Sequence, residues 1–214
     1  MTTTTLCLIR HGETAWNAEK RLQGHTDIPL NSHGVSQARQ MAQALKKTGL
    51  AFDVLYSSDL KRAADTANAI EELFGIQASI DDALRERHFG ALQGLAISEA
   101  PLVQPAIWQA HVSRDLEHDL GGGESILQFA TRVQSVLDNI AQEHAGKTIL
   151  MVSHGGSLDM MYRIARQQAL RSERVASVPN ASLNWLVHNG QDWAVDRWAD
   201  TRHLNGQALE NNDL

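Results

Sequence analysis

Two apolar runs in this sequence end alike. Leu6-Cys7-Leu8-Ile9 stops at Arg10-His11-Gly12, and Ile149-Leu150-Met151-Val152 stops at Ser153-His154-Gly155-Gly156. Short continuous apolar runs suit strands buried on both faces, because a half-buried strand would alternate. Side by side in a parallel sheet, these two would bring both imidazoles to one crevice at the strands' carboxyl ends, where open α/β sheets hold ligands. A single strand-end histidine is more often a packed residue than a reactive one, so the repetition carries the argument.

The intervening chain alternates strand and helix signals. Asn31 or Ser32 can cap a helix whose apolar face is Val35, Ala38, Met41, Ala42 and Leu45, closed by Gly49. Residues 53–57 read as a second strand, and Ser58-Asp59 as the cap of a helix running to Phe74. A third strand is expected over 76–80, then a loop over 84–94. The stretch 96–123 has no clean period and reads as an irregular helical insertion placed to lie over the crevice. Gly121-Gly122-Gly123 breaks the chain but lacks the spacing and preceding strand of a nucleotide loop. A long amphipathic helix is predicted over 125–144 and a shorter one over 158–169. Residues 181–188 and 192–198 alternate around Asn189-Gly190 as a hairpin, with Trp185, Trp193 and Trp198 as its packing residues. The tail, 201–214, is polar and expected to fray. Together these predict an α/β three-layer sandwich forming a single domain over 1–214. Its sheet should be mostly parallel, with helices on both faces and antiparallel character at one edge.

Composition narrows the function. A formal charge of -6 does not supply the clustered Lys and Arg that hold nucleic acid. A few strand-end arginines can still dominate a pocket's local field and admit a small anion. The lone Cys7 offers no disulfide framework, and the N-terminus carries neither a basic leader nor a membrane-length apolar segment. A cytoplasmic protein without membrane partners is expected.

Four blocks now stand in order: Arg10-His11-Gly12-Glu13-Thr14 with Trp16-Asn17, Gln23-Gly24 and Pro29-Leu30; Arg62 after Ser57-Ser58-Asp59-Leu60; Glu86 in Leu84-Arg85-Glu86-Arg87; and Ser153-His154-Gly155. In this order they resemble the histidine phosphatase superfamily, in its phosphoglycerate mutase-like branch. The resemblance implies the same sandwich fold. It implies that His11 is a phosphorylated nucleophile, Glu86 a proton donor and His154 a transition-state stabiliser. Arg10, Asn17 and Arg62 would hold the phosphate, with Gln23, Gly24 and Gly155 beside them. No cofactor is implied.

The chemistry of these residue types agrees. A histidine attacks phosphorus only through an unprotonated ring nitrogen, and a carbonyl holding Nδ1–H would leave Nε2 of His11 in that state. Positive charge from Arg10, Arg62 and His154 suits the equatorial phosphoryl oxygens, and Asn17 can donate a further hydrogen bond. The leaving oxygen needs a proton, for which a carboxyl raised in pKa by burial and by bound phosphate is suited, making Glu86 the candidate. No short His spacing and no Cys ligand group point to a metal. His88 is the one further histidine expected to wall the pocket, and Trp16 and Trp108 are candidates for its mouth.

Residues 86–95 resemble the corresponding run of cofactor-dependent phosphoglycerate mutases, but Phe89 stands where those carry tyrosine and Ile97 where they carry lysine. Gln109-Ala110 takes the place of paired arginines. A buried carboxylate without its partner would lose roughly 2 to 5 kcal/mol, so retention of a doubly anionic intermediate would fail and water would take the phosphoryl group. The leading expectation is therefore a phosphatase of small phosphate monoesters acting through a phosphohistidine. A 2,3-bisphosphoglycerate-dependent phosphoglycerate mutase is the alternative, and a non-catalytic phospho-ligand binding module the third. The expected partner is a small phosphorylated metabolite, with a homodimer through the edge hairpin as an additional possibility.

Overall fold

The computed structural model describes residues 2–173 and 175–204. Six strands form one sheet in the order β3-β2-β4-β1-β5-β6. β1 (Thr4–Arg10) and β4 (Thr148–Ser153) lie parallel at its centre, in a register that sets Ile9 opposite Val152 and Arg10 opposite Ser153. The two apolar runs therefore end level, and the histidines that follow them leave the sheet at the same edge. β2 (Val54–Ser57) extends the parallel part and carries β3 (Ser79–Ile80) at the rim. β5 (Leu183–His188) runs antiparallel to β1 and turns into β6 (Trp193–Asp200), so the antiparallel edge expected of the hairpin is present.

The sheet is covered on both faces because side chains alternate along each strand. Leu6 and Leu8 of β1 join Ile149 and Met151 beneath Phe129, Val133 and Leu137 of α6 (Ile126–Glu143) and Leu158 of α7 (Gly155–Ala165). Cys7 and Ile9 point the other way, with Leu150 and Val152. There they meet Met41 and Leu45 of α2 (Ser32–Lys47) and Ala63, Ala67 and Ile70 of α3 (Lys61–Phe74). Ser125 and Gln128 close a reciprocal capping box that fixes where α6 begins.

Several local expectations change. Val35 is 38% exposed, while Gln37 is fully buried and accepts from the Glu13 backbone N–H. The helix turns its polar residue inward because that amide needs a partner. The third strand shrinks to two residues. Ser58 and Asp59 do not supply a side-chain cap at Leu60; the Lys61 N–H donates instead to Asp27 Oδ1, 2.7 Å away, across the chain. Asp59 is engaged by the Arg85 guanidinium. α7 starts at Gly155, directly after His154, with the Gly156 N–H taken by the Glu86 carboxylate, and it ends at Ala165. The expected fraying does not begin at Thr201: Arg202–Leu204 forms a 3-10 turn whose Leu204 is fully buried against the α2 side of the core. Residues 205–214 of that tail lie outside the described residues.

The insertion folds into α4 (Ala100–Val103) and α5 (Pro105–Val112), each with a proline in its first turn, where the missing N–H has no intrahelical role. Among the described residues, no helix is long and apolar enough to cross a membrane.

Candidate active site

At the carboxyl edge, His11 is 2% exposed and its Nδ1 lies 2.7 Å from the Gly12 carbonyl. That carbonyl can only accept, so Nδ1 carries the proton of the neutral ring and Nε2 holds the lone pair. Burial, followed by the charges of Arg62 and Arg10, holds the His11 pKa well below the ordinary histidine value. The ring is neutral around pH 7 and its lone pair is available.

The guanidiniums are anchored by backbone carbonyls. Arg10 is 1% exposed and donates from Nη1 to the Val178 carbonyl at 2.7 Å. Arg62, on the first turn of α3, donates to the carbonyls of Thr26 at 3.0 Å and Gly24 at 2.7 Å. Gly24 is thereby tied to the site, and its positive φ of 54° brings the loop back with no Cβ to strain it. Gln23 is buried beside it and accepts from the Thr14 hydroxyl at 3.0 Å. Asn17 closes a capping box with Thr14 at the start of α1 (Ala15–Ala18); its Oδ1 takes the Thr14 N–H, leaving the amide nitrogen as its donor.

His154 is the N-cap residue of α7 and is fully buried. Its ring stands 5.2 Å from that of His11, centroid to centroid. Nε2 meets Ser58 Oγ at 2.9 Å, and Nδ1 has no hydrogen-bond partner among the described residues. Burial, with Arg62, His11 and Arg10 adding to it, holds the His154 pKa well below the ordinary value. Gly155 and Gly156 open α7, whose positive dipole end favours anions, and the Gly156 N–H is already given to the Glu86 carboxylate.

Glu86 is 4% exposed, with its two carboxylate oxygens held by different elements. Oε1 accepts from the Arg87 N–H at 2.9 Å and Oε2 from the Gly156 N–H at 2.8 Å. Beside it opens a cavity of about 340 Å³ lined by Glu86, Arg87, Phe89, His111, Arg114, Ile126, Phe129 and Met160, among others. α5 and the turn after it supply His111 and Arg114, so the insertion does cover the site. His88 does not wall this cavity. The irregular backbone turns it to the opposite side, where its ring packs edge-on against His25 at 4.7 Å. Trp108 packs behind His111 and Trp16 lies against Gly94, so neither lines the cavity.

The structure also corrects the charge argument. Gln109 and Ala110 leave no paired arginines on α5, yet Arg87 and Arg114 bring two guanidiniums to the cavity from other places. Arg87 is 6% exposed; its Nε donates to the Glu124 carbonyl, and its Nη2 has no hydrogen-bond partner among the described residues. Asn180 was not foreseen either. It is 1% exposed, and its Nδ2 donates to the His11 carbonyl at 3.0 Å, backing the loop that carries His11. An asparagine following proline at the start of a strand was its one visible signal. Among the described residues, no group of three or more His, Cys, Asp or Glu is placed to hold a metal ion.

Two imidazoles, two fixed guanidiniums and a helix start around one crevice define a pocket for a tetrahedral oxyanion, with a carboxyl at its rim. The chain belongs to the histidine phosphatase superfamily (branch 1), which it matches over residues 6–201. It is a hydrolase of small phosphate esters. It is 39% identical over 202 residues to phosphoglycerate mutase-like protein 4 of Arabidopsis thaliana, covering 93% of this chain and 86% of that one. It is also 39% identical over 203 residues to a metal-independent phosphoserine phosphatase of the same plant, covering 94% and 83%. Among solved structures it resembles a phosphoserine phosphatase from Entamoeba histolytica in complex with 3-phosphoglyceric acid. The TM-score there is 0.83 at 28% identity, covering 94% of this chain and 99% of that one.

Proposed function

We propose that His11 Nε2 attacks the phosphorus of a monoester while Glu86, protonated, gives its proton to the departing alkoxide. The P–O bond to the leaving group breaks as the P–N bond forms, leaving a phosphohistidine and an ionised Glu86. Glu86 then takes a proton from water, the water oxygen displaces His11, and inorganic phosphate leaves. Arg10, Arg62, Asn17 and His154 bind the equatorial oxygens, whose charge is greatest in transit. The observation that carries this reading is the Nδ1 contact of His11 with Gly12, which leaves a deprotonated Nε2 in a pocket of positive charge.

The leaving group, on this reading, occupies the cavity beside Glu86. Arg87 and Arg114 favour one that bears a carboxylate, and Phe89, Ile126, Phe129 and Met160 suit a short carbon skeleton. The phosphoserine phosphatases among the relatives support a phosphorylated hydroxy or amino acid as the substrate class. A cytoplasmic setting fits a small-metabolite enzyme whose lone cysteine, Cys7, is buried.

Phosphate release from O-phosphoserine, 3-phosphoglycerate and glycerol phosphate tests the reading against His11→Ala. That variant should lose at least about 10³-fold while keeping its fold. Acid quench of the wild type should trap phosphate on His11. Conversion of 3-phosphoglycerate to its 2-isomer, dependent on 2,3-bisphosphoglycerate and without phosphate release, would identify a mutase instead.

A further inference from the structure

The segment bearing Glu86 has no ladder of its own. Residues 82–92 are short 3-10 turns and irregular chain, whose carbonyls must find donors elsewhere. Ser153 Oγ donates to the Leu84 carbonyl, Ser157 Oγ to that of Arg85, and His25 Nε2 lies 2.8 Å from that of Glu86. One side chain on α6 reaches three carbonyls at once. Arg132 donates from Nη1 to the carbonyls of Ala83 and Arg85, each at 2.8 Å, and from Nη2 to the carbonyl of Glu86 at 3.1 Å. Its other edge grips Glu124: Nε meets Oε1 at 2.8 Å and Nη2 meets Oε2 at 2.7 Å. Glu124 continues the bracket, for its Oε2 accepts the His88 N–H at 2.9 Å and its carbonyl accepts Arg87 Nε at 2.9 Å. The backbone on both sides of Glu86 is thus tied to a rigid helix by one planar fork and its counter-ion, which add to the single contacts from Ser157 and His25.

We propose that Arg132, braced by Glu124, is a positioning residue for proton donation: it sets where the Glu86 carboxyl stands relative to the leaving oxygen. This rests on the reading of Glu86 as the proton donor. Arg132 makes no contact with the pocket side chains that bind phosphate. Arg10 and Arg62 are anchored on Val178, Thr26 and Gly24, and His154 on Ser58, all outside the bracket. Loosening the bracket therefore moves the acid and leaves the oxyanion pocket in place. A guanidinium is required because one rigid fork must serve three carbonyls and a carboxylate together; an ammonium cannot span them. Proton transfer tolerates little displacement, and a shift of about 1 Å can cost on the order of 10²-fold.

The test separates positioning from general damage through the leaving group. An alkyl ester such as O-phosphoserine needs a proton on its departing oxygen, whereas 2,4-dinitrophenyl phosphate expels a stable anion and needs none. kcat/KM is measured for both, because it reads only the steps up to phosphorylation of His11. Arg132→Met and Arg132→Lys should lower the alkyl value on the order of 10²-fold and the dinitrophenyl value less than about five-fold. Equal losses on both esters, or no loss on either, would overturn the proposal. Glu86→Gln is the reference. If it too lowers both esters equally, Glu86 is not the acid and the underlying reading fails; if it shows the split and Arg132→Met does not, only the bracket fails. Should Arg132→Met not fold, Glu124→Gln takes its place, with the same split expected at smaller size and an equal loss counting against the idea.

Discussion

The imidazoles of His11 and His154 stand 5.2 Å apart between centroids with their planes tilted by 58°, both sealed from water and both beside arginines. Their pKa values are held low by burial first and by the neighbouring cations second. Above about pH 6.5 both rings are neutral in the folded and unfolded chain and contribute nothing to pH dependence. As pH falls below 6.5 the unfolded chain gains protons that the folded one refuses, so stability drops. Each ring contributes up to about 1.4 kcal/mol per pH unit until its folded pKa is reached. His25 and His203, lowered mainly by burial, act in the same direction. The carboxylates held low by arginines, Asp59 and Glu124 among them, contribute only nearer pH 4, so the interval from 6.5 to 5 isolates histidine. Thermal melts across that interval should show a falling midpoint. Millimolar phosphate should reduce the slope, because a bound dianion favours protonated rings.

Ser58 determines which face of His154 is left for a ligand. Its hydroxyl occupies Nε2 at 2.9 Å, so only Nδ1 remains to meet an oxyanion. An oxyanion accepts hydrogen bonds, so Nδ1 must carry the proton and the Ser58 hydroxyl must donate to Nε2. Ser58→Ala removes that constraint without opening a large cavity. A fall of about ten-fold in kcat/KM is expected, the equivalent of one net hydrogen bond, together with weaker vanadate inhibition and a melting midpoint a few degrees lower, because Nε2 loses its buried partner.

What could be read without coordinates followed from local rules. Continuous apolar runs identified β1 and β4, helical spacing identified α6, and the His-Gly endings gave the crevice, since a parallel pair in level register leaves its termini no other place. What could not be read depends on contacts between distant segments. Arg87 and Arg114 share a cavity only because the insertion folds back over residues 86–89, and no periodicity in 96–123 announces that path. His88 was misassigned because Glu86, Arg87 and Phe89 line the cavity, whereas the irregular backbone turns the residue between them away. Arg132 reads in sequence as one more charge on an amphipathic helix. Its work is done on carbonyls 46 to 49 residues earlier.

Gly156 tests how closely the Glu86 carboxyl is held. A Cβ at this position would fall on the Glu86 carboxylate, and the Gly156 N–H is itself one of that group's two backbone donors. Gly156→Ala must push the carboxyl away from the helix start or shift α7. Alanine suits a helix well, so the melting midpoint should hold or rise. Activity on alkyl esters should nevertheless drop on the order of 10²-fold. Unchanged turnover with the fold intact would show that Glu86 is free to relocate and that its position is unimportant.

Arg87 bears most directly on which ester is hydrolysed. Burial pushes its pKa down to about 10, with Glu124 opposing and Arg114 adding to the shift, so it remains charged at neutral pH. A buried guanidinium edge that meets no partner among the described residues, lining a cavity next to Glu86, favours a substrate that brings a carboxylate to it. Arg87→Met keeps an unbranched stem in the cavity wall but removes that charge. For O-phosphoserine or 3-phosphoglycerate, kcat/KM should fall by at least about thirty-fold, or roughly 2 kcal/mol, the lower bound for a broken buried charge pair. Most of the loss should fall in KM, because the carboxylate lies away from the reacting phosphorus and is bound alike in ground and transition states. Ethyl phosphate has no carboxylate to lose and should be hydrolysed at nearly the wild-type rate. The comparison of the two esters is therefore the measurement that decides, and a parallel decline on both would mean that Arg87 serves the loop and not the substrate.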